Sequence, residues 1–460
     1  VTRIDTRTTA PQPPLTGSQL ESMSMAKALN AGLRRAMTQD DRVLLMGEDI
    51  GPLGGVFRIT EGLHAEFGAK RVLDTPLAES GIVGTAIGLA MRGFRPVCEI
   101  QFDGFIYPAF DQITSQLAKM TNRHEGAITM PVVIRVPYGG HIGAVEHHQE
   151  SNEAYFAHTA GLRAVSPSTP NDAYWMIQEA IASDDPVMFF EPKSRYWPKG
   201  DVDLSGSAAP LHASRVVRPG TEVTLVGWGP MVAVLLQAAE LAGEEGTSVE
   251  VVDLRSLSPI DWEPLLASVR RTGRLVVAQE ASANVSLGCE IASTVTERAF
   301  FSLEAPVLRV AGFDTPFPPA KVEKLFLPDV DRLALVNEHV DHGAAERRGE
   351  LDERLGGLDL DEDLVDGHLV ADLDLPGHDL GLGETLADVG EEELLCHRGD
   401  SCGLVRADVA RVSTRASGRR PRARGRRRGG RASRPWRAGR GCRSRRPGGP
   451  APPARRRRAR

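Results

Sequence analysis

Between Glu21 and about Lys199, apolar residues alternate between two periods. Met25, Ala28, Leu29, Leu33 and Ala36 recur at the spacing of one helix face, and Val43 to Met46 follows as a short unbroken apolar run suited to a buried strand. Similar runs occur at Pro96 to Ile100, Pro131 to Val136, Leu162 to Val165 and Pro186 to Phe190. Thr169 and Pro170 stand where an N-cap and a first helical position belong, which predicts a helix over DAYWMIQEAIAS. Strands without a polar face, alternating with helices, predict a mostly parallel sheet covered on both sides.

The polar stretch from Gly200 to Gly220, with its Gly, Ser and Pro residues, reads as a linker. A second α/β unit follows over 221–332. Its strands are predicted at Val223 to Val226, Ser248 to Val252, Arg274 to Ala278 and Val307 to Val310, and its helices at Met231 to Ala242, Glu263 to Arg271 and Leu287 to Phe301. Near Leu333 the patterning stops. From there to Arg460 the chain has no Ile, Phe, Tyr, Lys, Met or Gln. Glu338 to Asp400 carry 20 acids against four arginines, and Arg415 to Arg460 carry 20 arginines. Such blocks bury too little apolar surface to offset chain entropy, so 333–460 is expected to be disordered. Arginine without lysine, among Gly, Ala and Pro, is what a GC-rich frame gives when translated out of register. A frameshift or read-through near Arg332 is the expected origin. The Arg-rich end could pass for a nucleic-acid-binding arm, but it has almost no aromatic residue to stack on bases, so nucleic acid is not the expected partner.

Charge supports the same division. Residues 1–332 hold 40 acidic and 29 basic side chains, whereas 333–460 hold 21 and 26. No run approaches the roughly 18 to 20 apolar residues of a membrane helix, and the N-terminal stretch lacks an apolar signal core, so a soluble cytoplasmic protein with no membrane partner is expected. The five cysteines have no metal- or redox-type spacing; Cys98 and Cys289 read as free thiols.

Two segments carry candidate chemistry. DTPLAESGIVGTAIG at 74–88 puts Glu79 at a strand-to-helix junction followed by small residues that allow close helix approach, and EIQFDGFIYPAFDQI at 99–113 is an aromatic-rich strand end and turn. Alone, each favours a structural reading, with Glu79 as a helix-start carboxylate and Phe105 as core.

In order, however, these segments closely resemble the beta subunits of the thiamine-diphosphate-dependent decarboxylating component of 2-oxo-acid dehydrogenase complexes. The resemblance continues through MGEDIGPLGGVFRITEGL (46–63), RVPYGGHIGAVEHHQESNEAYFAHTAGLRAVSPSTP (135–170), DPVMFFEPKSRYW (185–197), VVDLRSLSPID (251–261) and RVAGFDTPFPPAKVEKLFLPDVDR (309–332), and covers Met23 to Arg332. It implies an α/β fold: a thiamine diphosphate pyrimidine-binding domain over 21–199, then a transketolase C-terminal-like domain. By the family's TPxxExG pattern, Glu79 is the carboxyl that engages a ring nitrogen of the cofactor, a task suited to an apolar cleft. The same matching sets Phe105 against the aminopyrimidine ring. Counting back from Glu153 puts His148 on the family's catalytic histidine, with proton transfer and guidance of the lipoyl group as its implied role. His147, His141 and His158 read as surface histidines. The family's Ser-Gln-Ser-Pro is here Gln149-Glu150-Ser151-Asn152. A structural monovalent cation, K+, would be held mainly by backbone carbonyls at Ala180, Ile181, Ser183 and Asp185.

A Gly-Asp-Gly stretch of the kind that helps ligate the diphosphate's Mg2+ does not occur in the sequence. The resemblance therefore implies that an alpha subunit supplies the Mg2+–diphosphate half, in a heterotetramer of two alpha and two beta chains that serves a lipoyl acyltransferase core. The EIQFDGFIYPAFDQI segment leans toward a branched-chain 2-oxo-acid substrate. The alternatives are a pyruvate dehydrogenase beta subunit and a noncatalytic, assembly-defective product with a basic nucleic-acid-binding tail.

Overall fold

The computed structural model describes residues 20–334 except Ser207. Its first unit comprises β1 (Leu20–Ser24), α1 (Met25–Gln39), β2 (Val43–Gly47), α2 (Leu63–Phe67), β3 (Val72–Asp74), α3 (Glu79–Met91), β4 (Arg95–Glu99), α4 (Ala118–Arg123), β5 (Val133–Tyr138), α5 (Glu153–Ala157), β6 (Arg163–Val165), α6 (Pro170–Ala182), β7 (Val187–Pro192) and β8 (Lys199–Asp203). The second comprises β9 (Arg215–Arg218), β10 (Val223–Gly227), α7 (Met231–Glu244), β11 (Val249–Asp253), β12 (Ser256–Ser258), α8 (Trp262–Thr272), β13 (Leu275–Ser282), α9 (Leu287–Ala299), β14 (Leu308–Gly312) and α10 (Glu323–Phe326).

A seven-stranded sheet runs β12-β6-β7-β5-β4-β2-β3, and a five-stranded sheet runs β14-β13-β10-β11-β9. Both are parallel except at one edge, where β12 and β9 pair antiparallel. Every residue of β2, β5, β7, β10 and β11 is buried, as the unbroken apolar runs require of strands covered on both faces. The N-cap at Thr169 forms as expected, its hydroxyl accepting from Asp172 N at 3.1 Å, with Pro170 opening α6.

Three expectations need correction. The stretch read as a linker is not featureless, because β8 pairs with β1 and β9 pairs with β11. The two units share structure: β12 crosses to complete the first sheet, and Trp228, Val252 and Leu254 share one core with Ile134 and Phe190. Leu333, assigned to the tail, is fully buried among Val223, Leu225 and Met231. The rest of the expected disordered tail lies outside the described residues. The small residues of α3 also behave differently from expectation: Gly81, Gly84, Thr85 and Gly88 form an exposed face. Among the described residues, no helix is long and apolar enough to cross a membrane.

Candidate active site

In a parallel sheet the loops leaving the C-terminal strand ends gather on one edge, where open α/β folds bind ligands. Here that edge carries Glu48 after β2, the Phe102–Phe105 turn after β4, the histidine loop after β5 and Lys193 after β7. Glu79 opens α3 directly after the turn from β3, and Thr75 N donates to the Gly47 carbonyl at 2.9 Å, which ties that turn to the end of β2.

Glu79 is 7% exposed and Glu48 8% exposed. Burial, followed by the nearby Glu79 charge, raises the Glu48 carboxyl above its ordinary value. Glu48 Oε1 is buried without a hydrogen-bond partner. A buried polar atom left unpaired is costly, so Glu48 Oε1 is suited to accept from a hydrogen-bond donor.

Phe105 packs partly buried at the rim of the core and meets His148 edge-on, ring centroids 5.0 Å apart. His148 also stacks on Phe102 at 4.1 Å. Its Nδ1 lies 3.0 Å from the His147 carbonyl; because that oxygen can only accept, Nδ1 carries the hydrogen, and in the neutral ring Nε2 has the lone pair. Gly104 makes this approach feasible: a Cβ there would run into the His147 carbonyl oxygen and lie 2.8 Å from His147 Cβ.

The residues that depart from the family's pattern stitch this loop together. Gln149, fully buried, accepts from Ile142 N and Gly143 N and donates to the Ala144 carbonyl at 2.7 Å. Asn152 donates to the Asp103 carbonyl at 3.1 Å. Glu153 accepts from Trp228 Nε1 of the second unit at 3.2 Å, and burial pushes its carboxyl up to about 7. His141, read as a surface histidine, is partly exposed yet 3.6 Å from the buried Glu280.

The expected cation ligands sit at the C-terminal end of α6 and the turn into β7, but their carbonyls are already engaged. Arg95 Nη1 donates to both Ile181 O and Ser183 O at 2.9 Å. Ala180 O accepts from Ser183 N at 3.3 Å. Asp185 O accepts from Ser183 Oγ at 3.2 Å, and its carboxylate pairs with Arg163. A guanidinium already neutralises this carbonyl cluster, so the arrangement does not fit K+. No group of three or more His, Cys, Asp or Glu side chains among the described residues could hold a metal ion.

Sequence reasoning brought Glu79, Phe105 and His148 to this edge but passed over Glu48, Asp103, Lys193, Glu280 and Glu323. The only local signal for Glu48 is a carboxyl placed directly after an apolar strand.

Comparisons with known proteins agree with this architecture. Residues 21–198 match the transketolase pyrimidine binding domain and residues 212–333 the transketolase C-terminal domain. Over 315 residues the chain is 73% identical to the pyruvate dehydrogenase E1 component subunit beta of Leifsonia xyli subsp. xyli, covering 68% of this chain and 94% of that protein. It is 54% identical over 314 residues to the 3-methyl-2-oxobutanoate dehydrogenase subunit beta of Mycobacterium tuberculosis, covering 68% and 90%. A solved split-gene transketolase, an inactive beta4 tetramer, shares the fold with a TM-score of 0.57 at 24% identity, over 69% of this chain and 98% of that one.

Proposed function

Because this chain belongs to the E1 beta subunits of 2-oxo-acid dehydrogenases, we propose that it supplies the pyrimidine half of a thiamine diphosphate site for oxidative decarboxylation and acyl transfer. The observation that carries this reading is the buried Glu79–Glu48 pair with its unpartnered oxygen at the C-terminal strand edge. A ring bearing both a nitrogen acceptor and an amino donor would suit that pair, with Glu79 directed at the nitrogen and Glu48 Oε1 accepting from the amino group.

When bound, thiamine diphosphate supplies the carbon nucleophile for the 2-oxo group and the electron sink for loss of carbon dioxide. Glu79 holds a proton toward the ring nitrogen, which makes the amino group a better base. Phe105 offers an apolar face for the ring. His148 moves a proton at Nε2 during acyl transfer to the lipoyl group. For that transfer to balance, the lipoyl S–S bond would break, one sulfur would take the acyl carbon as a thioester while the bond from that carbon to the cofactor is released, and the other sulfur would take the proton as a thiol, so that the two electrons left by decarboxylation reduce the disulfide. An alpha subunit holds Mg2+ and the diphosphate, and the exposed small-residue face of α3 is a surface on which such a partner could approach closely.

For the substrate we keep the branched-chain reading carried by the 99–113 segment. Pyruvate is the second reading, favoured by the 73% identity to a subunit of that name. With a purified alpha–beta pair, Glu79→Gln is expected to abolish decarboxylation while leaving the assembly intact. Near-normal turnover in that variant would remove Glu79 from the mechanism. In the same assay, turnover of pyruvate without turnover of 3-methyl-2-oxobutanoate would select the second reading.

A further inference from the structure

The loop from Gly139 to Asn152 carries the histidines and is anchored at both ends by buried ionic side chains. At its start, Gly140 N donates to Glu280 Oε2 at 3.1 Å and His141 N donates to Glu323, both from the second unit. Gly140 is needed there, since a Cβ would lie 2.8 Å from Leu327 and 3.0 Å from Glu323. At its end the anchor is Asp103. One oxygen of this fully buried carboxylate takes Glu150 N at 3.0 Å, the other takes the Lys193 ammonium, and its backbone carbonyl takes Asn152. Lys193 is itself fully buried.

Asp103 thus lies in the turn whose next residues are Gly104 and Phe105, and its bonds bind that turn to the residues just past His148. Burial pushes the Asp103 carboxyl up to about 6, with Lys193 pulling the other way, so the charge on Asp103 depends on its partner. Lys193 sits ninety positions away in sequence, following β7.

Resting on the role assigned to His148 above, we propose that Asp103 and Lys193 are positioning residues for acyl transfer: their ion pair sets where the His147–His148 turn lies against Phe102 and Phe105. Their hydrogen bonds reach this loop and its turn, and among the described residues none reaches Glu48 or Glu79. The pair therefore acts mainly on the second half-reaction, and on the first only through Phe105 in the same turn. Loss of the charge on Asp103 weakens the hold on Glu150 N, and the imidazole leaves its stacked position.

The test uses the alpha–beta holoenzyme with two readouts: decarboxylation coupled to ferricyanide, and single-turnover acylation of a lipoyl domain followed by mass spectrometry. Asp103→Asn is expected to slow lipoyl acylation by about a hundredfold, the scale of a misplacement near 1 Å, while ferricyanide-coupled turnover falls by less than about tenfold. Added to His148→Asn, the same change should cost little more, because the two act as a unit. Gly104→Ala displaces the His147 carbonyl without altering any charge, and should give the same selective loss if Asp103→Asn fails to fold. Equal losses in both readouts, or additive losses in the double variant, would overturn the positioning role. Normal acylation by His148→Asn alone would instead overturn the role of His148, a result separate from selectivity in the Asp103 variant.

Discussion

Two groups of buried carboxyls lie at the first sheet, one within its strands and one just past its strand ends, and they differ in what faces them. Glu99 and Glu191 clasp Arg135: its Nε donates to Glu191 at 2.6 Å, Nη2 to the other Glu191 oxygen at 3.0 Å, and Nη1 to Glu99 at 2.6 Å. Tyr196 adds a hydrogen bond to Glu191 at 2.7 Å. Against the cost of burial, the two carboxylates hold the Arg135 guanidinium above its ordinary value. Glu48 and Glu79, by contrast, are buried carboxyls near enough for the Glu79 charge to raise Glu48, with an oxygen of Glu48 left over. The first group is complete within the chain and serves the fold. The second is incomplete and is available to a ligand, which is how two sets of the same residue type around one sheet divide stability from chemistry.

The largest effects should separate along that line. Glu79→Gln is expected to lower decarboxylation by at least about a thousandfold, within the range for a positioned acid or base, with little change in denaturation midpoint. Arg135→Met should do the reverse. It strands two carboxylates and should cost about 3–5 kcal/mol, measured by urea unfolding of the purified subunit pair. Turnover per folded molecule should remain. If Arg135→Met left stability untouched, or Glu79→Gln lowered it as much as activity, the division between the two groups would fail.

A smaller effect concerns carboxyls between these extremes. Glu280 accepts from Gly140 N and lies 3.6 Å from His141, and burial, with the Gly140 hydrogen bond and Lys193 pulling the other way, raises its carboxyl from 4.5 to about 7. A carboxyl whose folded pKa is raised binds its proton more tightly when folded. The stability tied to that proton is present below about 4.5 and is lost as pH rises toward about 7. Glu280→Gln should therefore flatten the fall in stability across that window. An unchanged slope in the variant would assign the pH dependence elsewhere, Glu153 being the nearest alternative at about 7.

How far the sequence revealed these differences depended on the range of the interaction. The central strands were legible because burial on both faces leaves an apolar run that needs no partner to be seen. β12 was not, since Ser256–Ser258 holds one apolar residue, Leu257, and exists as a strand only because β6 lies beside it. β8 and β9 were missed for the same reason, their polar residues being ordered by β1 and β11. Among the candidate site residues, Glu79, Phe105 and His148 could be singled out through local motifs that a family resemblance could match. Glu48 shows nothing locally beyond a carboxyl at a strand end. The Asp103–Lys193 pair joins loops far apart in the chain, and no window of sequence contains both.

The smallest expected effect is on cation dependence, and it asks whether Arg95 makes the α6–β7 turn as self-sufficient as Arg135 makes its own cluster. Carbonyls at a helix C-terminus carry partial negative charge, and several converging without a cation repel one another. Here the Arg95 guanidinium reaches Ile181 O, Ser183 O and the Asp184 carboxylate, the last at 2.8 Å. Its fixed positive charge meets the electrostatic need that a bound K+ would otherwise meet. Exchanging KCl for choline chloride at constant ionic strength should therefore leave melting temperature and turnover unchanged in the parent. Arg95→Met removes the internal cation and frees two carbonyls, so K+ but not choline should raise the melting temperature of that variant. A parent enzyme that loses stability when K+ is withdrawn would show that the turn still needs an external cation, and that Arg95 shares the site without replacing it.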